Sequence, residues 1–474
     1  MSTRPARRVR AVTVVVACAQ LAARPVAQAR AALADIENAI RTAKRRGAHL
    51  IVLPECSYPG YVLLDRDPYA RSIPSDAQAL RAIARQAARS SIDVCVGIAR
   101  RDRDGSLRNE AVYIDAQGIE LCSYAKCRLW NFDHHWFAAG RELPVFETRF
   151  GTIGMMICAD GRNPEIARTL VARGAWMILD PTAWVGSGPT YEAVRNPQAD
   201  YALRARAVEN GVWIAAADKC GSELGAVHYV GRSQVISPAG EIIATADSTS
   251  PQMIVASVRK TAPKPFIAAL SAADRRSLRA RPHRAAAIAR VPPRLWIGLY
   301  QSLPGRRDAD VALRALAAQT IHALIRTGQS RAAVKRSLRS ARGLRFAVLA
   351  GLAMLAPEPA RAAALRGADL LVWMRPPKRL PILDVARTRA MENRVYVALC
   401  TRSDDEVGAC LIGPDGSIVG SALTGRPSGF VAVLDTIATR RKEVVPGTQT
   451  FADRMPSSYR WLDRSASAGK VRAS

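Results

Sequence analysis

The apolar run Gly154-Met-Met-Ile157 stops at a cysteine, Cys158. The chain then passes through Ala-Asp-Gly-Arg-Asn before Pro164-Glu165 opens a segment with helical patterning that lasts to Gly174. Proline suits the first turn of a helix and an acidic side chain suits its positive end, so the spacing predicts strand, turn and helix with the cysteine between them. A thiol in that position can have its thiolate stabilised by the helix dipole, which makes Cys158 a candidate nucleophile. Two further reactive side chains stand where apolar runs end. Glu55 follows His49-Leu-Ile-Val-Leu-Pro54, and Lys126 follows Ile119–Ala125. Taken singly, each has an ordinary use: the cysteine as packing, the glutamate as a cap, the lysine as solvated surface.

The elements that must position these residues alternate. Val12–Cys18 reads as a buried strand, although Arg4–Arg10 followed by Ala11–Ala19 also mimics a secretory signal. Ala27–Arg46 places Ala31, Ile36, Ile40 and Ala43 at helical spacing, and Asp76–Arg89 is a second helix. Strands are expected at 49–55, 92–98, 109–115, 119–125, 176–180 and 212–217, with a helix at Tyr201–Asn210. A hairpin, Arg232–Ser237 and Glu241–Ala246, turns at Pro-Ala-Gly240. Strands alternating with helices and ending in a hairpin-rich edge predict an α/β protein with large mixed sheets.

Composition narrows the function classes. A chain of 474 residues with 49% apolar content is globular and long enough for two or three domains. No apolar run reaches the roughly 18–20 residues that span a bilayer. Nine cysteines, at 18, 56, 95, 122, 127, 158, 220, 400 and 410, form no CxxC pair, which predicts free thiols in a reducing, cytoplasmic setting. Six histidines lie at no metal-ligand spacing with cysteine, so neither a metal nor a cofactor is expected. The net charge of +29 suggests a polyanion, but residues 259–345 alone hold 20 Lys/Arg against 3 Asp/Glu. Arginine alternates with alanine there as elsewhere, so compositional bias accounts for the charge, and neither nucleic acid nor membrane is the expected partner.

The order Leu53-Pro-Glu55, Tyr124-Ala-Lys126-Cys-Arg-Leu129 and Cys158-Ala-Asp-Gly-Arg-Asn-Pro-Glu165 resembles the nitrilase superfamily of carbon–nitrogen hydrolases. Arg206-Ala-Val-Glu-Asn210 and Gly231–Gly240 support the resemblance, which runs from residue 9 to about 260. It implies a four-layer α-β-β-α sandwich and a Glu-Lys-Cys triad. Cys158 would form a thioester acyl-enzyme and Glu55 would shuttle the proton. Lys126, with the backbone N–H of Ala159, would stabilise the oxyanion. Many members carry a glutamate seven or eight residues after the lysine, near the substrate. Here Asp133 holds that place, one methylene shorter, with Glu142 as the alternative. Arg162 matches an arginine that binds the carboxylate in N-carbamoyl amino acid and ω-amide hydrolases; the alternative is a local ion pair with Asp160 or Glu165. Trp184, with Trp130 and Trp136, is a candidate pocket wall. The expected reaction is hydrolysis of a small linear amide or N-carbamoyl compound, carboxylate-bearing, with water as co-substrate and ammonia released. Nitrile hydrolysis is an alternative, disfavoured by Ala159-Asp160. An alternative of another class is a non-catalytic binding or regulatory protein with a basic surface.

The second half repeats the first. Arg366-Gly-Ala-Asp-Leu-Leu-Val-Trp-Met echoes Arg173-Gly-Ala-Trp-Met-Ile-Leu-Asp, and Arg389-Ala-Met-Glu-Asn393 echoes Arg206–Asn210. Gly408–Gly420 echoes the Gly231–Ala244 hairpin, and Arg294–Gln301 the first strand. The fold is therefore expected twice, the second copy shortened: a catalytic domain 1–262, a basic linker 263–290 and a degenerate domain 291–474. Gapless alignment sets Gly351 at the nucleophile position and Leu355 at that of Arg162, and the segments carrying Glu55 and Lys126 have no counterpart. Family members commonly pair two such units in an eight-layer dimer, so the second copy is expected to act as an intramolecular pseudo-dimer partner. A tethered appendage is the alternative.

Overall fold

Strand β1 (Thr13–Ala22) carries the run Thr-Val-Val-Val, whose branched side chains suit a pleated, buried surface. It sits in the middle of an eight-stranded sheet, parallel to β2 (Leu50–Val52) and antiparallel to β14 (Gln252–Arg259). β3 (Asp93–Arg101), β4 (Leu107–Ile114) and β5 (Glu120–Ala125) extend one side of this sheet. β10 (Lys219–Glu223) and β11 (Val227–Val230) extend the other. The computed structural model describes residues 12–64, 67–70, 73–190, 193–280, 294–301, 321–339, 341, 343–401, 407–425 and 427–459.

A second sheet runs in the order β13 (Ile242–Thr245), β12 (Gln234–Ile236), β9 (Trp213–Ala217), β8 (Met177–Pro181), β7 (Gly151–Met155), β6 (Val145–Thr148). The two sheets face each other across an apolar layer, where Cys95 Sγ and Met155 Sδ meet at 3.8 Å. Helix α1 (Ala29–Arg45) buries Ala32, Ile36, Ala39, Ile40 and Ala43 on the outer face of the first sheet. Helix α2 (Asp76–Ser90) joins it, started by a Ser75–Gln78 capping box. After the single turn α3 (Asp133–Trp136), helices α4 (Pro164–Ala172) and α5 (Leu203–Asn210) cover the second sheet. Four layers, α-β-β-α, result over the first 260 residues, as expected. The β10–β11 hairpin was not expected, because Lys219-Cys-Gly-Ser-Glu223 lacks the apolar alternation of a strand.

Helix α5 is buried nearly all round, including Arg206, Glu209 and Asn210. Such a helix needs a partner on each face. The second sheet supplies one and the C-terminal half supplies the other. There, β16 (Ala323–Arg326), β15 (Arg294–Gln301) and β22 (Ser428–Asp435) form one sheet. β17 (Phe346–Ala350), β18 (Leu370–Met374), β19 (Tyr396–Cys400), β20 (Cys410–Ile412) and β21 (Ile418–Ser421) form another. The latter has the strand order and directions of β7-β8-β9-β12-β13, and β16-β15-β22 those of β2-β1-β14.

The stretch 263–290, expected as a plain linker, contains helix α6 (Ala272–Arg279), capped by Ser271, with Leu278 packed on Ala362 and Tyr459. Residues 281–290 lie outside the described residues. Helix α7 (Arg331–Arg339) covers β16. Helices α8 (Pro357–Leu365) and α9 (Ile382–Asn393) lie between the five-stranded sheet and α4 and α5. Among the described residues no helix is long and apolar enough to cross a membrane.

Candidate active site

Glu55 emerges just past β2, its backbone N–H donating to the Thr182 carbonyl at 3.2 Å. Lys126 emerges from β5, its N–H donating to the Asn109 carbonyl at 2.8 Å. Both side chains are fully buried, and Lys126 Nζ lies 2.7 Å from Glu55 Oε1. Nζ also lies 2.7 Å from Asp133 Oδ2. Asn109 Nδ2 donates to Glu55 Oε1 at 2.6 Å, whereas Glu55 Oε2 is buried with no hydrogen-bond partner. Burial pushes the Glu55 carboxyl up; Lys126 opposes that and Asp133 adds to it. Burial alone would lower the Lys126 ammonium, but Asp133 and Glu55 overcome it and hold the group charged well beyond the usual lysine range.

Asp133, expected near the substrate, is fully buried against Lys126. Its Oδ1 accepts from the Tyr61 hydroxyl at 2.8 Å and its Oδ2 from the Trp130 N–H at 2.9 Å, besides the Lys126 contact. With both oxygens committed, it is the second counter-ion of the lysine, at the first residue of α3.

Cys158 follows β7 at φ 46°, a left-handed backbone that a side chain with a Cβ adopts only under constraint. A turn of 3-10 helix, Cys158–Arg162, carries the chain on to α4. Its own N–H donates to Asp180 Oδ1 at 2.8 Å, and Sγ faces the Ala183 carbonyl at 3.7 Å. Residues 182–183 thus touch both the glutamate and the cysteine. Asp160 ties the turn to the lysine strand: it accepts from Ile157 N–H at 2.9 Å, Tyr124 Oη at 2.7 Å and Arg128 N–H at 2.8 Å. Burial pushes the Asp160 carboxyl up to about 6. The expected help of the helix dipole to the thiolate does not decide the resting state. Helix α4 begins only at Pro164, and burial followed by the nearby Glu55 pushes the Cys158 thiol well up, with Lys126 opposing. Burial thus disfavours charge on both the Cys158 thiol and the Glu55 carboxyl, and Glu55 keeps one oxygen without a hydrogen-bond partner.

Ala159, the expected oxyanion donor, is buried in the same turn. Arg162 lies at its end. Its guanidinium stacks 4.1 Å above the Trp130 ring, Nε donates to Gln198 Oε1 at 3.0 Å, and burial pushes it down to about 10. Neither proposed local partner is used: Asp160 is occupied as above, and Glu165 pairs with Arg361 and Arg454. The Trp184 indole is fully buried among the core residues between the sheets, and its backbone N–H donates to Asp218 Oδ1 at 2.8 Å.

The sequence alone did not single out Asn109, Tyr61, Asp180 or Gln198, whose amide reaches the Cys158 carbonyl. Nor did it single out Lys219, buried between the Tyr61 and Tyr229 rings beside Glu223. Each is an ordinary residue of a strand, a loop or, for Gln198, a helical turn, and only the fold brings them together around the site. An open cleft of about 930 Å³ behind the lysine loop is lined by Arg108, Cys127, His134, Arg141 and Asp453 among others, and by none of Glu55, Lys126 and Cys158. Among the described residues no group of three or more His, Cys, Asp or Glu side chains is placed to hold a metal.

The carbon-nitrogen hydrolase family profile matches residues 15–262. A protein described as a hydrolase in the pqqF 5' region of Pseudomonas protegens is 37% identical over 201 residues, covering 42% of this chain and 68% of that one. A nitrilase of Pyrococcus abyssi is 32% identical over 47% of this chain and 81% of its own length. An omega-amidase of Danio rerio is 27% identical over 46% and 78%. Among solved structures, an amidase from Nesterenkonia sp. aligns with a TM-score of 0.47 at 28% identity, over 52% of this chain and 90% of that one. With the family profile spanning both sheets and all three residues at the strand ends, this chain belongs to the carbon–nitrogen hydrolases of the nitrilase superfamily.

Proposed function

We propose that the first unit hydrolyses a small linear amide or N-carbamoyl compound bearing a carboxylate, with Cys158 as nucleophile, Glu55 as general base and acid, and Lys126 as oxyanion partner. The observation that carries this reading is the buried Glu55 Oε2 without a hydrogen-bond partner, in a cluster where burial and the nearby Glu55 push the thiol up. The thiol proton passes to Glu55 as sulfur bonds to the carbonyl carbon. The oxyanion is met by Lys126 and the Ala159 N–H. Collapse breaks the C–N bond, and Glu55 returns the proton to the departing ammonia. Glu55 then takes a proton from water as it attacks the thioester, giving the acid and the free thiol. Likeness to a protein named omega-amidase supports the amide branch, and Ala159-Asp160 after the cysteine disfavours nitriles. Arg162, stacked on Trp130 and paired with no carboxylate among the described residues, supports a carboxylate on the substrate. Ammonia release should be measured on ω-amides, N-carbamoyl amino acids and neutral amides, against Cys158→Ala as control. Silence across all of them, with tight anion binding instead, would turn the reading toward a binding protein. Arg162→Ala should lose activity on acidic substrates selectively; equal loss on neutral amides would remove its role.

We also propose that the C-terminal half is a degenerate copy of the same unit, serving as pseudo-dimer partner within one chain. Equal strand order in the two halves supports this. So does the same bond made within each half, Arg206 Nε donating to the Gly161 carbonyl and Arg389 Nε to that of Met354, each at 2.9 Å, and so does reciprocity where the halves meet. Arg168 pairs with Glu358 at 2.9 Å, and Arg361 with Glu165 at 3.0 Å. Reciprocal use of equivalent patches is the mark of a two-fold interface. A chain that is monomeric in solution at 51.2 kDa is expected; an obligate dimer through α4 and α5 of the first unit would overturn it. Nine thiols, all free, support a reducing, cytoplasmic compartment.

A further inference from the structure

Residues 127–134 connect Lys126 to its counter-ion Asp133 and pass through Asn131 at φ 47°, a left-handed conformation that needs support from its surroundings. Support comes from more than 300 residues later in the chain. Strands β23 (Glu443–Val445) and β24 (Thr448–Gln449) form a hairpin. Thr448 is fully buried; its Oγ1 accepts from the Asn131 N–H at 3.1 Å and donates to the Leu129 carbonyl at 3.3 Å. Arg128 donates to the Gln449 carbonyl at 2.9 Å and pairs with Asp453 at 3.4 Å. Asp453 in turn accepts from the Gln449 N–H at 2.7 Å, which closes the hairpin onto Arg128. The tip approaches so near that a Cβ on Gly447 would lie 3.2 Å from His134 Cδ2. The backbone N–H of the same Arg128 reaches Asp160, so the hairpin is connected to the nucleophile turn as well. Met391, from α9, lies 3.4 Å from Arg162 Nη1.

A side chain that must meet a developing charge has to be held within a fraction of an ångström. We propose that the C-terminal hairpin sets the register of the lysine loop, with Thr448 a positioning residue that acts on Lys126 and Asp133 through Asn131 and Leu129. This rests on the hydrolase reading of the site. The second half is then part of the active-site scaffold as well as a packing partner, which gives a reason for a copy without chemistry of its own.

The test compares Thr448→Val, which keeps the shape and removes both hydrogen bonds, with Thr448→Ser, which keeps the hydroxyl, in the full chain. Two readouts are taken: hydrogen exchange of peptides spanning 127–134, and the pH profile of amide hydrolysis. Thr448→Val should raise exchange in that loop alone and lower kcat about tenfold, with KM little changed. It should also move the acid limb of kcat/KM upward, because Lys126 lowers the Glu55 carboxyl and would do so less. Thr448→Ser should restore all three. If Thr448→Val fails to fold, Asp453→Asn loosens the Arg128 anchor from a partly exposed position and is read the same way. Unchanged exchange overturns the proposal, and so does raised exchange with unaltered kcat and acid limb. Were the wild-type chain to release no ammonia, the hydrolase reading would fall, while raised exchange would still support the hold of the hairpin on the loop.

Discussion

Arg389 Nη2 donates to Glu209 Oε2 at 2.7 Å, joining two fully buried side chains 180 residues apart. The contact is answered by Arg206, which donates to Glu392. Each arginine also holds the glutamate three residues on in its own helix, Arg206 to Glu209 at 2.6 Å and Arg389 to Glu392 at 2.8 Å. Four charges thus close a ring in which every group has two partners. Removing one carboxylate leaves two buried guanidinium groups to share the other, an uncompensated positive charge in the interior that costs far more than the net worth of the ring. Glu392→Ala and Glu209→Ala should each lower unfolding free energy by about 3–5 kcal/mol. Reciprocity adds a sharper expectation, that the two losses agree to within about 1 kcal/mol. Urea unfolding followed by tryptophan fluorescence would measure both, and a marked asymmetry would mean that the halves do not share the ring equally.

Cys158 at φ 46° and Gly351 at φ 57° occupy the same place after β7 and β17. The second half puts glycine where the backbone is left-handed, and the first half keeps a cysteine there despite the steric cost. Cys158→Gly should therefore abolish hydrolysis and stabilise the chain by up to about 1 kcal/mol, since it relieves a left-handed residue and removes a side chain that is mostly, not wholly, packed. Cys158→Ala should abolish hydrolysis without that gain. Thermal unfolding of the two variants side by side decides the matter: a glycine variant less stable than the alanine one would show that the backbone there is not strained.

How far the chain could be read from its sequence depends on where each signal lives. The strands, helices α1 and α2, and the three residues at strand ends follow from apolar periodicity and from punctuation by Pro54 and Pro164, which are local. The repeat Arg-Ala-x-Glu-Asn was equally visible, but arginine and glutamate three apart satisfy each other within one helix, so nothing local shows that the pairs also cross between halves. Asp133 was found by position, but its partner Tyr61 was not, because it comes from a loop 72 residues earlier. The left-handed turn at Cys158 was hidden by the residue itself, since only a glycine advertises a positive φ.

Asn109 donates to Glu55 Oε1 at 2.6 Å, and this bond favours the charged carboxylate. Burial raises the Glu55 carboxyl above its usual range, so activity that needs an ionised base should rise with pH through a limb above the ordinary carboxylate region. Asn109→Leu removes a group that lowers the carboxyl, so the limb should move to still higher pH, with the high-pH plateau retained in part. Tyr61→Phe frees one oxygen of Asp133 but leaves both contacts of Glu55 with Lys126 and Asn109, so it should move the limb less. The kcat/KM profile of the two variants checks the order, and a downward shift in Asn109→Leu would contradict the placement of Glu55 as base.

Glu165 sits between Arg361 at 3.0 Å and Arg454 at 3.2 Å, where the two halves meet. Burial alone would raise its carboxyl, but the two arginines overcome that and hold it at about 2, below the usual 4.5. A carboxyl depressed in the folded state contributes its stability fully above the unfolded value and loses it as pH falls toward the folded one. The window here is pH 4.5 down to 2, and the contribution at neutral pH is on the order of 3 kcal/mol. Glu165→Gln should therefore be markedly less stable than wild type at pH 6. The difference should shrink steadily below pH 4.5 as wild type takes up the proton that the variant cannot. Urea unfolding at pH 6, 4 and 3 measures this directly. A difference that stays constant across the series would mean that Glu165 packs the contact without its charge mattering.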